Sequence, residues 1–598
     1  TILFALIVAV TFGALSSFGA STIWNLDGIA QHYPILKEFY RILHGTAHQS
    51  LFSWSWNLGL GANQMTTFAY YVVGDPFSYL IALFPADRIE FGYWVLTIMR
   101  LYGVGLAFMV FAGQFRLKRS GTLFGSLIYT FNGFTFYVSF HHPFFLLPLI
   151  FFPLLCLFIE RIYQGKSPLG LTIVTAFALV SNLYFAYVLG IGAFVFAVIR
   201  YFGLRAKHAL SRPISRVIGA FILALVVALL IASVIFLPMI IAMIHSSRSG
   251  AAIFANGLTT YPQLYYLRLP SSLLNANGTI YYWTVLGLSG LTLIAIIWMM
   301  RRFKRYWALN TLVILTALGL LLPQFAAVMN VMSTPSNRWI LLAQLVFAVL
   351  TAIFIDHLSD LTVADFRWFL GVTLIIIILV WCTNGFIFKT GSHFFMSFGL
   401  FLAFLLVFAD ALLKPAPATR IKPVLLVVIT LNLINTGLGF YSSNYSDAPK
   451  NEIRTGAAAK WTTNFFDQAD QYLKKIDHTF YRTANSSDYY TTPTVGNNLS
   501  MLLGTHSISS YYSVQSGAVD NFNRELGNAQ TAMNNPTGNV DNRTTMLSLL
   551  GVKYLFTRQD DWLNKAPHPY GFSAINTKSG HAKVFADHPV YQLGNGTG

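Results

Sequence analysis

The chain has 598 residues, of which 55% are hydrophobic, 16% aromatic and only 10% charged, and its formal net charge is +17. No soluble globular class has this composition; apolar stretches of the roughly 20 residues needed to cross a bilayer core about 30 Å thick recur along it. Residues 1–440 carry 26 basic and 10 acidic side chains, whereas residues 441–598 carry 13 and 12, so the excess charge is a topology signal and no nucleic-acid partner is expected.

In chain order the apolar runs predict about thirteen membrane helices, near 1–20, 90–112, 121–140, 143–160, 168–182, 184–203, 216–240, 281–300, 306–328, 338–356, 367–388, 393–413 and 422–440. Cytoplasmic loops retain Lys and Arg. With residue 1 entering from the cytoplasm, the alternate loops that fall inside carry eighteen basic residues and those outside carry seven. The segment from about Tyr441 onward then lies outside the cell.

The first outer loop, 21–89, opens with Asp27, Gln31, His32 and Tyr33 just beyond the first apolar run. Its stretch Pro34 to Leu43 sets Ile35, Leu36, Phe39, Ile42 and Leu43 at helical spacing opposite Lys37, Glu38 and Arg41, the pattern of a helix lying flat on a membrane surface. Trp54-Ser55-Trp56-Asn57-Leu58-Gly59-Leu60-Gly61 follows, with rings suited to the interface and glycines that permit close backbone approach. A second outer loop, 241–280, holds His245, Arg248, Tyr261, Gln263, Tyr265, Tyr266 and Arg268; a third is Ser333 to Trp339. Short outer turns carry His141-His142 and Ser181-Asn182-Leu183-Tyr184. Polar, aromatic and basic groups thus collect on one side of the membrane.

From about Tyr441 the composition turns to Asn, Ser, Thr, Asp and Tyr. Residues 441–598 are expected to form a mixed α/β extracellular domain: a helix near 451–475, and strands at Phe480–Thr483, Ser507–Tyr512 and Val552–Phe556. Cys156 and Cys382 both fall in predicted spans, which leaves the outer part without a disulfide framework and suits a bacterial surface. Thr1, with no Met or basic segment before it, and the Gly594-Asn595-Gly596-Thr597-Gly598 terminus read as a trimmed chain.

Several pieces, in this order and spacing, resemble the YfhO-type bacterial membrane proteins, which are similar in architecture to GT-C lipid-linked glycosyltransferases. They are the Asp27/Gln31/Tyr33-Pro34 cluster, Asn57-Leu58-Gly59-Leu60-Gly61, Gly74-Asp75-Pro76-Phe77, Asn182-Leu183-Tyr184-Phe185, Asn337-Arg338 and Leu549-Leu550-Gly551-Val552-Lys553-Tyr554. The resemblance covers essentially the whole chain. It implies transfer of a monosaccharide, outside the cell, from an undecaprenyl-phosphate-linked donor to a surface polymer such as lipoteichoic acid or another teichoic acid. It also implies an essential acid in the first outer loop, where Asp27 stands, and an acid before the fourth apolar run, where this chain has His141-His142-Pro143. Asp75 is then the remaining candidate for a second acid.

Moving a sugar off a phosphate needs a base for the acceptor hydroxyl and a cation for the leaving phosphate. Asp27 is the candidate base. Arg forms bidentate hydrogen bonds to phosphate, which singles out Arg338, Arg248 and Arg268 on the outer side. Arg100, deep in the second predicted span where a charge is costly, is a further phosphate candidate. Gln31, His32, Tyr33, Asn57, His141, His142, Asn182 and Tyr184 are candidate substrate contacts, and Tyr489, Tyr490, Tyr511 and Tyr512 candidate polymer contacts in the outer domain.

Each has a plainer reading. Asp27 could cap the helix that follows it or pair with Lys37 or Arg41, and Asp75 before Pro76 could be a turn aspartate. His32, His141 and His142 suggest metal ligation, but no carboxylate or Cys stands at ligand spacing beside the His141-His142 pair, so no metal site or cofactor is assigned, although dependence on a divalent metal stays open. A transporter or flippase for a lipid-linked envelope precursor is the alternative function, weakened by the lack of internal duplication.

Overall fold

The computed structural model describes residues 1–47, 49–246, 258–274, 281–383, 393–413, 418–445, 448–466, 469–485, 498–528, 540, 543–556, 569–575 and 590–594. The chain divides into two compact units: Thr1–Ala20, Thr97–Ala232 and Ala252–Asn451 form the first, and Ser21–Leu96, Ser233–Ala251 and Glu452–Gly598 the second.

The protein is helical and polytopic. Among the described residues, eight helices are long and apolar enough to cross a membrane: Ala86–Gln114, Pro143–Tyr163, Leu183–Ala206, Ile214–Ile244, Asn337–Asp356, Val363–Thr383, Met396–Leu413 and Arg420–Tyr441. The pair Trp307–Leu321 and Pro323–Met329 passes the same test only when taken together and is bent by 104°, the geometry of a broken span or a re-entrant loop. The bend falls where Leu322 is extended before Pro323, which can neither donate an N–H nor let its predecessor stay helical. Ile2–Ser17, Leu169–Ser181 and Gly290–Met300 are apolar helices below spanning length.

Two expected spans differ for local reasons. The run 121–140 is interrupted at Phe131: Asn132 Oδ1 accepts the Thr135 N–H, and Thr135 Oγ1 accepts the Asn132 N–H, a capping box that starts a new helix at Gly133. The run 281–300 becomes helical only at Gly290, where the Ser289 hydroxyl caps the Thr292 N–H at 3.1 Å. Residues 281–289 are therefore irregular chain, although their composition is that of a membrane segment.

Within the first unit, Arg119–Thr130 lies against Ile340–Asp356 along Gly121 and Gly125. A Cβ on Gly121 would stand 2.5 Å from the Ala352 carbonyl, so the small-residue stripe lets backbones meet. Several of the basic residues assigned to the inner loops are used structurally: Arg200 grips buried Glu160 through two 2.7 Å bonds, and Arg301 and Arg302 converge on buried Asp365.

The second unit joins the first outer loop to the C-terminal region. Its sheet orders Arg482–Asn485, Val552–Phe556, Val590–Leu593 and Phe572–Ala574, the first pair parallel and the others antiparallel. Ala484, Ile508, Leu547, Val552, Leu555, Phe572 and Tyr591 form its core. Val552–Phe556 is a strand as expected, whereas Ser507–Tyr512 forms no strand and carries isolated bridges at Ser507, which pairs with Thr483, and at Ser510. The helix expected near 451–475 is divided into Ala457–Asn464 and Ala469–Ile476.

Tyr33–Leu43 is helical, but its polar side does not face water or lipid headgroups. Lys37 Nζ donates to Thr462 and Thr463, Arg41 Nη1 donates to the Leu502 carbonyl, and Glu38 is only 2% exposed. The C-terminal region covers the face expected to be solvated. Ser21 N–H to Ile453 O, Asn498 Nδ2 to Ala30 O and Ser500 Oγ to Asn57 O extend the same seam at 2.7–2.8 Å.

Candidate functional site

Asp27 is partly exposed and stands directly before a π-helical turn, Gly28–His32. Its side chain makes no capping bond to that turn, and Lys37 and Arg41 are engaged by Thr462, Thr463, Glu38 and Leu502. Instead, buried Gln31 donates Nε2–H to Asp27 Oδ1 at 2.9 Å. The Tyr71 hydroxyl donates to Gln31 Oε1, accepts the Ser513 N–H at 2.8 Å and lies 2.9 Å from Ser513 Oγ. Because an ionised carboxylate only accepts, the Gln31 amide must turn its nitrogen to Asp27 and its oxygen to Tyr71.

Tyr71 sits on a second π-helical turn, Ala69–Val73. The wider turn re-aims side chains that an α-helix would send elsewhere, a feature frequent at functional sites. The His32 and Tyr71 rings are 5.9 Å apart, and buried Tyr33 meets Tyr93 edge-on at 6.3 Å. Burial, reinforced by Glu90, raises the Tyr33 phenol well above the usual tyrosine range.

Asp75 is buried with both oxygens used locally: Oδ1 accepts the Phe77 N–H at 3.0 Å and Oδ2 the Ser78 hydroxyl at 2.7 Å. This is an Asx turn that starts the 3₁₀ helix Ser78–Leu83. Buried Asn57 accepts Ser500 Oγ–H at its carbonyl, while its Oδ1 has no hydrogen-bond partner among the described residues.

Two acids that the sequence did not single out share this unit. Burial, opposed by Arg41, pushes the Glu38 carboxyl up to about 7. Burial also pushes Glu452 up to about 7, against the pull of the Asn25 N–H that its Oε2 accepts at 2.8 Å. Nothing local marks either residue: Glu38 falls on the polar side of an amphipathic helix and Glu452 in a polar segment.

In the first unit a separate constellation surrounds Arg338. Its guanidinium carbon lies 4.3 Å from the Trp283 ring centroid, 5.6 Å from Tyr184 and 5.7 Å from Phe145. Nε is buried without a hydrogen-bond partner, and among the described residues the guanidinium makes no ion pair. His142 stacks on Phe145 at 4.8 Å and lies 5.5 Å from Trp283. His141 stacks on Tyr137 at 4.0 Å, and Tyr137 meets Trp283 edge-on at 5.3 Å. Asn182 accepts the Phe185 N–H at 3.2 Å, capping the helix whose first turn carries Tyr184.

Trp283 is the member the sequence reading missed; in Tyr281-Tyr282-Trp283 it read as part of a membrane span. Tyr282 and Trp283 adopt φ of 51° and 61°, the left-handed region that side chains with a Cβ avoid. Such strain costs about 1–3 kcal/mol per residue and persists only where neighbours enforce it. Buried Asn337 is that neighbour: its N–H donates to the Tyr282 carbonyl at 2.7 Å, and its Nδ2 to Thr284 Oγ1 at 2.8 Å and to the Tyr265 hydroxyl at 3.2 Å. Trp339 Nε1 donates to Asn337 Oδ1 at 2.9 Å, so both neighbours of Arg338 are locked.

Of the other candidates, Arg100 is buried in Ile89–Gln114 and Arg268 is exposed on Gln263–Leu274. Arg248, Tyr489 and Tyr490 lie outside the described residues. Tyr511 bonds Asn498 through its backbone, and Tyr512 is buried. Among the described residues no three His, Cys, Asp or Glu side chains gather as a metal-holding group.

No curated protein sequence matches the chain. Among solved structures, the arabinofuranosyltransferase AftD from Mycobacteria superposes with a TM-score of 0.52 at 13% identity, over 99% of this chain and 39% of that one. The chain thus spans about two-fifths of AftD's length. ArnT from Cupriavidus metallidurans, bound to undecaprenyl phosphate, gives a TM-score of 0.44 at 12% identity over 100% of this chain and 98% of that one. AglB from Archaeoglobus fulgidus, an archaeal oligosaccharyltransferase, gives 0.39 at 11% identity over 94% and 70%. At these identities the likeness to AftD is one of fold, and the fold is GT-C-like. Residues 1–596 match the family model of the bacterial membrane protein YfhO, and the chain belongs to that family of multi-pass membrane proteins.

Proposed function

We propose that this protein is a membrane glycosyltransferase that moves a monosaccharide from an undecaprenyl-phosphate-linked donor to a cell-surface polymer, such as a teichoic acid, on the outer face of the bacterial membrane. The observation that carries the reading is Arg338: a positioned cation held on aromatic faces, with no acid paired to it among the described residues. Such a group suits a phosphate that gains charge as the sugar departs.

In the proposed reaction the acceptor hydroxyl oxygen bonds to the sugar's anomeric carbon, whose bond to the phosphate oxygen breaks. The hydroxyl proton passes to a base, and the bonding pair stays on the leaving phosphate, where Arg338 meets the added charge. One displacement inverts the anomeric carbon. Gln31 and Tyr71 hold the Asp27 carboxylate in one orientation, which a general base requires. The engaged oxygens of Asp75 favour a structural role for it.

Membership of the YfhO family and fold likeness to an arabinofuranosyltransferase support sugar transfer as the chemistry to test. The test is transfer of labelled sugar from a polyprenyl-phosphate donor to purified teichoic acid by the protein reconstituted in liposomes, with mass analysis of surface polymers from cells with and without it. Label in the polymer, lost from cells lacking the protein, is the expected outcome. Unchanged polymers in the cells, together with no transfer in liposomes, would overturn the reading.

A further inference from the structure

The second unit carries an aromatic surface that the donor chemistry does not use. Trp54 opens the short strand Trp54–Ser55, paired with Ala62–Asn63, and Trp56 follows in the turn directly after it; both are exposed while Ser55 between them is buried. They are 54% and 41% exposed, and Phe480 beside them is 59% exposed. The rings run in series: Trp54 to Trp56 at 5.9 Å, Trp56 to Phe480 at 6.2 Å, and Phe480 stacked on His506 at 4.7 Å. Gly61, at φ +112°, closes the hairpin; a Cβ there would stand 2.7 Å from the Trp54 ring. The sequence therefore reserves room for that ring.

Arg482 lies between the rings, its guanidinium carbon 5.3 Å from Trp56 and 5.4 Å from Phe480. Its backbone N–H donates to Gly551 O at 2.8 Å and its Nη1 to Leu550 O at 2.6 Å, so the cation is fixed at the head of a strand. Among the described residues it has no carboxylate partner, and its Nε and His506 Nδ1 have no hydrogen-bond partner. Burial, with Arg482 and Lys474 nearby, lowers the His506 pKa despite its bond to the Trp56 backbone.

We propose that Trp54, Trp56, Phe480 and Arg482 form the docking surface for the polymeric acceptor, a phosphate-bearing glycan. The C–H faces of sugar rings carry partial positive charge and settle on electron-rich aromatic faces, and the Arg482 guanidinium, without a carboxylate partner among the described residues, takes the chain's phosphates. Tryptophan also suits a lipid interface. Acyl chains, however, cannot use the hydrogen-bonding capacity of Arg482 and His506 between the rings, whereas a hydroxyl-rich chain can. The inference rests on the transferase reading and names its acceptor subsite.

The test is calorimetric titration of the full-length protein in detergent with lipid-free teichoic acid, without donor. Trp56→Ala is expected to weaken binding about tenfold, in the range of one lost base- or sugar-stacking ring. Arg482→Met should weaken it comparably and flatten its salt dependence, with Arg482→Lys recovering part of the loss. Wild-type affinity in both Trp56→Ala and Arg482→Met would overturn the proposal. So would quenching of Trp54 and Trp56 emission by brominated phospholipid, read as the difference from the Trp54→Phe/Trp56→Phe variant, because the face would then be a membrane anchor. Donor hydrolysis without polymer reports the transferase reading separately: its absence from the wild type would count against that reading, whatever the glycan titration shows.

Discussion

The Asn337 N–H donates to the Tyr282 carbonyl at 2.7 Å, joining the turn that carries Arg338 to the strained pair that carries Trp283. One residue thereby places a cation and the ring beneath it. Replacing Asn337 by Ala keeps the backbone bond but removes Nδ2 and Oδ1, leaving Thr284, Tyr265 and Trp339 without that partner. Buried groups so orphaned cost about 1–3 kcal/mol. The expected result is a lower melting temperature together with weaker donor binding; an unchanged donor affinity in the folded variant would separate Asn337 from the Arg338 site.

Arg338→Lys keeps the charge and loses the planar fork. Donor titration should show about tenfold weaker binding, because a point charge cannot replace two parallel hydrogen bonds. Trp283→Leu should weaken it by a similar factor, since a desolvated cation on an indole is worth about 2 kcal/mol. Equal affinity of Arg338→Lys and wild type would make Arg338 an interface anchor.

Asp27→Asn preserves size and hydrogen bonding to Gln31 but removes the base, so transfer should fall by about a hundredfold or more with expression intact. Gln31→Leu should lower kcat with little change in KM, because it releases the carboxylate's orientation. Asp75→Asn, which retains an oxygen for the Phe77 N–H, should stay close to wild type in transfer. Full activity of Asp27→Asn would remove the assignment.

The Glu38 and Glu452 carboxyls, raised by burial from near 4.5 to about 7, favour their protonated forms in the folded protein. That contribution is complete below the unfolded value and is lost as pH rises through about 7. Melting of the solubilised protein should therefore be lower at pH ~8 than at pH ~5.5, and Glu38→Gln with Glu452→Gln should flatten the difference. A double variant with the wild-type slope would assign the dependence to other groups.

Much of this protein is written locally. Apolar length and the distribution of Lys and Arg announce a polytopic membrane chain, because each helix must satisfy its own backbone in lipid wherever it sits. Asn132, Ser289 and Pro323, which end or restart helices, act through bonds to residues within three positions or through a missing N–H, yet the runs 121–140, 281–300 and 306–328 read as unbroken because apolar length alone set those spans. Asp27, Gln31, His141, His142, Tyr184 and Arg338 could likewise be named from their places beside apolar runs.

Other features depend on groups far apart in sequence. Trp283 becomes a platform only because Asn337, 54 positions later, holds its neighbour in a left-handed conformation. Glu38 looks solvated on a helical wheel, and Arg482 looks like an ordinary strand residue. The fold buries the first under the C-terminal region and sets the second between Trp56 and Phe480. Sequence by itself determined that the chain is a polytopic membrane protein, since apolar length and charge distribution act segment by segment, but of its thirteen expected spans eight helices, or nine with the bent pair, are long enough among the described residues. Only the tertiary structure decided which cations remain without an acid, because pairing depends on what distant parts of the chain bring alongside.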